Sequence, residues 1–139
     1  EEAKEKCKIP IVGGLEAPLY FATMLGSTFS FIGPFEEEQE ILRGLIKSHG
    51  LLSRVASIRG IGLEVLDFKP EDKKLEELKE LMLNESRRAI SEDGANVIIS
   101  YNGIKVLRYL QQNLPVPVIS PRQTQIMLAE VLVNSQLTQ

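Results

Sequence analysis

The chain has 139 residues, 43% of them hydrophobic and 25% charged, with 16 Lys and Arg against 19 Asp and Glu for a net charge of −3. That is enough chain for one compact domain, with the balance of a globular protein rather than a disordered or fibrous one. The acidic balance argues against a nucleic-acid partner read through a positive face, and no apolar run approaches the ~20 residues of a membrane span. One cysteine, Cys7, and one histidine, His49, exclude an internal disulfide framework and a Cys/His metal site built from this chain alone, and they suit a reducing, cytoplasmic compartment.

Residues 1–8, Glu-Glu-Ala-Lys-Glu-Lys-Cys-Lys, read as the middle of a surface helix, with neither an initiating methionine nor a charged-then-apolar leader. The expectation is a piece of a longer protein. Residues 9–12 form the first strand candidate, ended by Gly13 and Gly14, and residues 28–32 the second, ended by Gly33 and Pro34. Pro34 is placed to open a helix at its first position, with Glu36, Glu37 and Glu38 where the positive end of the helix dipole favours them. Ile41, Leu42, Leu45 and Ile46 share one face of that helix, and His49-Gly50 supplies its stop. Residues 54–58 read as a third strand, with 63–66 pairing nearby. A long helix follows from Pro70 to about Asp93, carried by Leu75, Leu78, Leu81, Met82, Ala89 and Ile90 and closed by Gly94. Strands over 96–100 and 116–119 flank a helix over 104–113. A last helix spans 121–134, with Ser120 as its cap and Pro121 behind it. Continuously apolar strands alternating with helices predict a single three-layer α/β/α lobe over residues 1–139, with a mainly parallel sheet and right-handed crossovers.

In such sheets ligands bind beyond the C-terminal ends of the strands. Four loops leave strands in that direction: Gly13-Gly14-Leu15-Glu16, Gly33-Pro34, Ser100-Tyr101-Asn102-Gly103 and Ser120-Pro121. Each alone is explained by tight turning; four on one rim predict a small-molecule crevice with backbone N–H groups facing the ligand. Stock motifs do not fit. Gly60-Ile61-Gly62 lacks the third glycine of a dinucleotide fingerprint, and there is neither a phosphate-binding loop nor a nucleophile elbow. His49 reads as structural, Cys7 as a passive thiol, and Arg87-Arg88 as a solvated face. Arg59 beside Ser57 reads first as a structural ion-pair partner and second as a clamp for a carboxylate or a domain interface.

Taken in order, the segments resemble the aspartate/glutamate/hydantoin racemase superfamily, and within it the hydantoin racemase branch. The resemblance lies in Ile9-Pro-Ile-Val-Gly-Gly-Leu-Glu16-Ala, Phe29-Ser-Phe-Ile, and Val55-Ala-Ser-Ile-Arg59-Gly-Ile-Gly-Leu-Glu-Val-Leu-Asp67. It continues in Arg88-Ala-Ile-Ser-Glu-Asp-Gly94-Ala-Asn-Val-Ile-Ile99, Pro115-Val-Pro-Val-Ile119 and a closing helix with Ala129-Glu130. It covers nearly the whole chain and implies the second lobe and closing helix of a two-lobe protein. The family's chemistry uses two cysteines on opposite faces of an acidic carbon, one removing the proton and the other returning one, without pyridoxal phosphate or any other cofactor. By this resemblance the first cysteine falls upstream of Glu1. The second falls in the step that reads Ser100-Tyr101-Asn102-Gly103, with Tyr101 nearest its position. Cys7 matches neither. Where the family often carries a Thr-Thr pair, the chain has Gly33-Pro34, which removes two hydroxyls and one N–H.

The resemblance therefore implies Tyr101 as the catalytic candidate and Gly14, Glu16, Gly33, Pro34, Ser100, Asn102 and Gly103 as substrate-binding candidates, with no metal. A phenol with an ordinary pKa near 10 makes Tyr101 a poor base at neutral pH. Three readings stand. The first is a cofactor-independent racemase-like isomerase acting at the Cα of a small amino acid or hydantoin, whose isolated lobe is inactive. The second is a non-catalytic binding or regulatory protein for a small carboxylate on the same fold. The third is a one-cysteine decarboxylase or isomerase relative. An apolar face left by a missing lobe also predicts a homo-oligomer.

Overall fold

The computed structural model describes residues 2–35, 38–62 and 73–137. A short helix α1 (Glu2–Lys6) leads through an irregular segment into α2 (Glu16–Leu25), and then come β1 (Phe29–Gly33), α3 (Gln39–Ser48) and a 3₁₀ turn at Leu52–Arg54. The chain continues through β2 (Val55–Gly60), α4 (Lys73–Ser91), β3 (Val97–Ser100), α5 (Ile104–Asn113), β4 (Val118–Ile119) and α6 (Pro121–Asn134).

All strand pairs are parallel, in the order β2-β1-β3-β4. Every residue of β1 and β3 is buried, as sheet strands covered on both faces require. Their side chains alternate. Phe29, Phe31, Val97 and Ile99 pack with Leu19, Ala22, Leu42 and Ile46 of α2 and α3, whereas Ile32 and Ile98 pack with Leu78 and Met82 of α4 and Val106, Leu107 and Leu110 of α5. The result is the expected α/β/α sandwich, with α6 lying against α2. Travel from β1 to β2 runs one way along the sheet with α3 on one face. Travel from β2 to β3 and β4 runs the other way with α4 and α5 on the opposite face, as crossovers of a single hand demand.

Most element boundaries agree with the sequence-based expectation. α5 and α6 match it residue for residue, and Ser120 caps α6 by accepting a hydrogen bond from the Gln123 N–H at 3.2 Å. Gly94 follows α4 in the left-handed region (φ 75°), and Gly50 follows α3 likewise (φ 71°). Two expectations are corrected. Residues 9–12 are not a strand: Pro10 lacks a donor, Ile9 is 67% exposed, and the Val12 carbonyl accepts from the Gln125 side chain instead of from a sheet neighbour. Pro34 does not open α3, which begins at Gln39. The Phe35 N–H turns back to the Gly33 carbonyl at 2.8 Å, and the Gln39 side chain donates to the Phe35 carbonyl at 3.2 Å. Glu36, Glu37, the 63–66 strand expectation and the start of the Pro70 helix expectation lie outside the described residues.

Candidate functional site

β1 and β3 are neighbours, yet the helices that follow them go to opposite faces, so the chain parts at their C-terminal ends. A cleft of about 380 Å³ opens there, beside α3. Its lining takes a residue from each expected rim loop or its neighbour: Gly14 and Leu15 before α2, Phe35 after β1, Tyr101 after β3, and Pro121 at the start of α6. Glu38, Ile41, Leu42 and Leu45 from α3 and its approach complete the wall.

The floor is aromatic. The Tyr101 ring meets Phe35 edge-on with centroids 5.1 Å apart and Phe31 at 5.9 Å, and its N–H is fixed to the Ile32 carbonyl at 2.9 Å. Burial alone pushes the phenol up to about 12, with no charged or hydrogen-bonding neighbour among the described residues to oppose it. At neutral pH the hydroxyl therefore keeps its proton and can donate a hydrogen bond. Gly33 is dictated by this packing, because a Cβ there would sit 2.8 Å from the Tyr101 Cβ and 3.0 Å from the Phe35 ring. Gly60 holds the same loop from the β2 side: a Cβ at this position would fall 2.0 Å from the Phe35 carbonyl oxygen.

The remaining expected site residues divide. Gly14 lines the cleft. Glu16 opens α2 but is not part of the lining. Its carboxylate is held by the Lys4 ammonium at 2.7 and 2.9 Å, a bond that keeps the carboxyl below its ordinary range against a smaller opposing effect of burial. Pro34 is half-buried beside the floor without lining it. Ser100 points to the α4/α5 side of the sheet, where its buried Oγ has no hydrogen-bond partner among the described residues. Asn102 also faces that side, donating from Nδ2 to the Met82 sulfur at 3.0 Å. Gly103 is the exposed residue before α5. The cleft thus gathers Gly14 and Tyr101, and leaves Glu16, Pro34, Ser100, Asn102 and Gly103 around or behind it.

Sequence reasoning missed Phe35, Glu38 and the outer part of α3. The signal was present: α3 carries four apolar residues on one stripe, but only Leu42 and Ile46 are buried, leaving Ile41 66% and Leu45 51% exposed toward the cleft mouth. Arg59 is a structural ion-pair partner of Asp93, Glu85 and Glu92, and His49 packs edge-on against Tyr20. Cys7, half-buried just past α1, does not line the cleft. Among the described residues no group of three His, Cys, Asp or Glu is placed to share a metal ion, and no helix is long and apolar enough to cross a membrane.

The chain is 31% identical over 134 residues to a hydantoin racemase of Pseudomonas sp. (strain NS671), covering 95% of this chain and 53% of that protein. It is 32% identical over 136 residues to the hydantoin racemase of Paenarthrobacter aurescens, covering 96% and 56%. It therefore spans a little over half the length of these curated relatives. Two solved structures share its fold over 99% of the chain: allantoin racemase from Pseudomonas fluorescens (TM-score 0.84, 28% identity, 58% of that chain) and from Klebsiella pneumoniae (TM-score 0.87, 27% identity, 56% of that chain). A family model described as Asp/Glu/Hydantoin racemase matches residues 1–129. With sequence and backbone in agreement along nearly its whole length, the chain belongs to the Asp/Glu/hydantoin racemase family.

Proposed function

We propose that this chain holds a small ring of the hydantoin type in the β1/β3 cleft and brings no proton-transfer pair of its own. The observation that carries this reading is Tyr101. It occupies the cleft floor at the place the family resemblance gives to a cysteine, and its phenol, pushed up to about 12, releases no proton near neutral pH. Two-base racemisation needs one group that takes a proton and one that gives it, and the lining offers no thiol. What the lining does offer is flat aromatic and aliphatic surface, suited to the faces of a five-membered ring, with the Gly14-Leu15 turn before α2 at its edge.

The test is paired. The chain is incubated in D₂O with one enantiomer of a hydantoin that is substituted at ring carbon five; ligand-observed NMR reads binding, and loss of the ring C–H signal reads exchange. Binding without exchange above the buffer blank is the expected result, and exchange above the blank overturns the reading.

A second reading, a one-cysteine isomerase or decarboxylase, is favoured by the same hydroxyl. A phenol that stays protonated can donate a hydrogen bond to an enolate oxygen while a thiolate supplied by other residues of the working protein takes the proton. Self-association belongs to the proposal as well, because α6 presents apolar side chains over much of its surface and buries only Thr124 fully.

A further inference from the structure

Among the described residues, Glu38 is the one acidic or basic side chain in the cleft lining. It stands exposed immediately before α3, and none of the salt bridges among the described residues engages it. By helical periodicity it shares a face with Ile41, Leu42 and Leu45, whereas Glu40, Arg43 and Lys47 fall on the far side of α3, where Glu40 and Arg43 approach each other at 3.9 Å. From Ile41 to Leu45 the wall rises one helical turn, about 6 Å, which matches a substituent of three or four carbons. None of the described residues that line this path is basic, so a carboxylate carried along it would meet an acid and no cation among them.

We propose that Glu38 sets the charge selectivity of this cleft: it admits a ring whose apolar stem is neutral or ends in an ammonium group, and rejects one whose stem ends in a carboxylate. The inference rests on the ring-binding reading above and names the substituent that reading leaves open. Solvent moderates the effect, since exposed ion pairs and like-charge contacts are individually weak. The separation between cationic and anionic stems is accordingly about three- to tenfold in Kd at low salt, and it shrinks as added salt screens the charge.

Calorimetric titration of the whole chain with three hydantoins, carrying an isobutyl, an aminobutyl or a carboxyethyl group at ring carbon five, tests this directly. The expected order of affinity is aminobutyl, then isobutyl, then carboxyethyl. Glu38→Gln brings the first and last together, and Glu40→Gln, on the far side of the helix, leaves the gap in place. Equal affinity for aminobutyl and carboxyethyl compounds, or a gap that survives Glu38→Gln, overturns the charge selectivity while leaving ring binding intact. Failure of all three to bind overturns the ring-binding reading, and the selectivity with it.

Discussion

The Tyr101 ring and its hydroxyl contribute in different ways, and substitution separates them. The ring packs against Phe31 and Phe35, whereas the hydroxyl has no hydrogen-bond partner among the described residues. Tyr101→Phe is expected to change unfolding stability by less than ~0.5 kcal/mol, and Tyr101→Ala to cost about 3 kcal/mol through the void left beneath the cleft. Urea unfolding of the two variants checks this; a costly Tyr101→Phe would mean that the hydroxyl is engaged. Two glycines make an equally sharp contrast. Gly60→Ala drives a methyl against the Phe35 carbonyl, where backbone has to shift, and is expected to cost at least ~2 kcal/mol. Gly44→Ala adds a methyl to an exposed position inside α3 with nothing within 4 Å, and is expected to stabilise by about 0.5–1 kcal/mol. Both residues read as plain glycines in the sequence, because the close approach that distinguishes Gly60 is made by a residue 25 positions away.

Among the elements, β2 is one of the two edge strands of the described sheet, and an ion-pair cluster ties it to the end of α4. The Arg59 guanidinium, 15% exposed, donates to both oxygens of Asp93 at 2.6 and 3.0 Å and also reaches Glu85 at 3.1 Å and Glu92 at 2.9 Å. Arg59 holds the Asp93 carboxyl below its ordinary range, with burial opposing and Ser57 assisting, and Arg88 together with Arg59 does the same for Glu92. Folded-state values below those of the unfolded chain mean that the unfolded chain binds more protons as the pH falls. The stabilisation is then complete above the ordinary carboxylate range and is lost as pH drops through the lowered values. Arg59→Leu is expected to cost roughly 2 kcal/mol at neutral pH, with the gap to the unsubstituted chain closing below about pH 4. Denaturant midpoints across that pH range measure both effects. This cluster was legible only as Arg59 wanting a carboxylate; which of the many acids it takes depends on the β2/α4 crossing. The elements were legible where a local signal marks an end, as Ser120-Pro121 does for the start of α6. They were not where pairing decides: residues 9–12 carry strand chemistry and meet no strand.

At the scale of the molecule, the rim of the cleft was readable from topology, because parallel strands whose crossovers reverse direction leave a crevice wherever small residues end the strands. What entered that crevice was not readable, since alternation sends Ser100 and Asn102 to the α4/α5 face and brings Phe35 in their place. The same distinction between pattern and partner governs α6. With Arg122 and Glu130 as its only charged residues, it has the composition of a helix covered on most sides, yet Ile126, Met127, Val131 and Val133 face outward and α2 is the only helix of the described residues it packs against extensively. A broad apolar arc in water is a cost that pairing of two copies removes, and a helix that repeats the same face on each copy supports a two-fold contact. Sedimentation equilibrium of the chain is therefore expected to show a reversible dimer that Val131→Lys combined with Ile126→Lys shifts to monomer, while the far-ultraviolet circular dichroism stays unchanged because neither side chain is buried in the folded lobe. A chain that sediments as a monomer at every concentration, with those side chains intact, would show that the arc on α6 is tolerated bare.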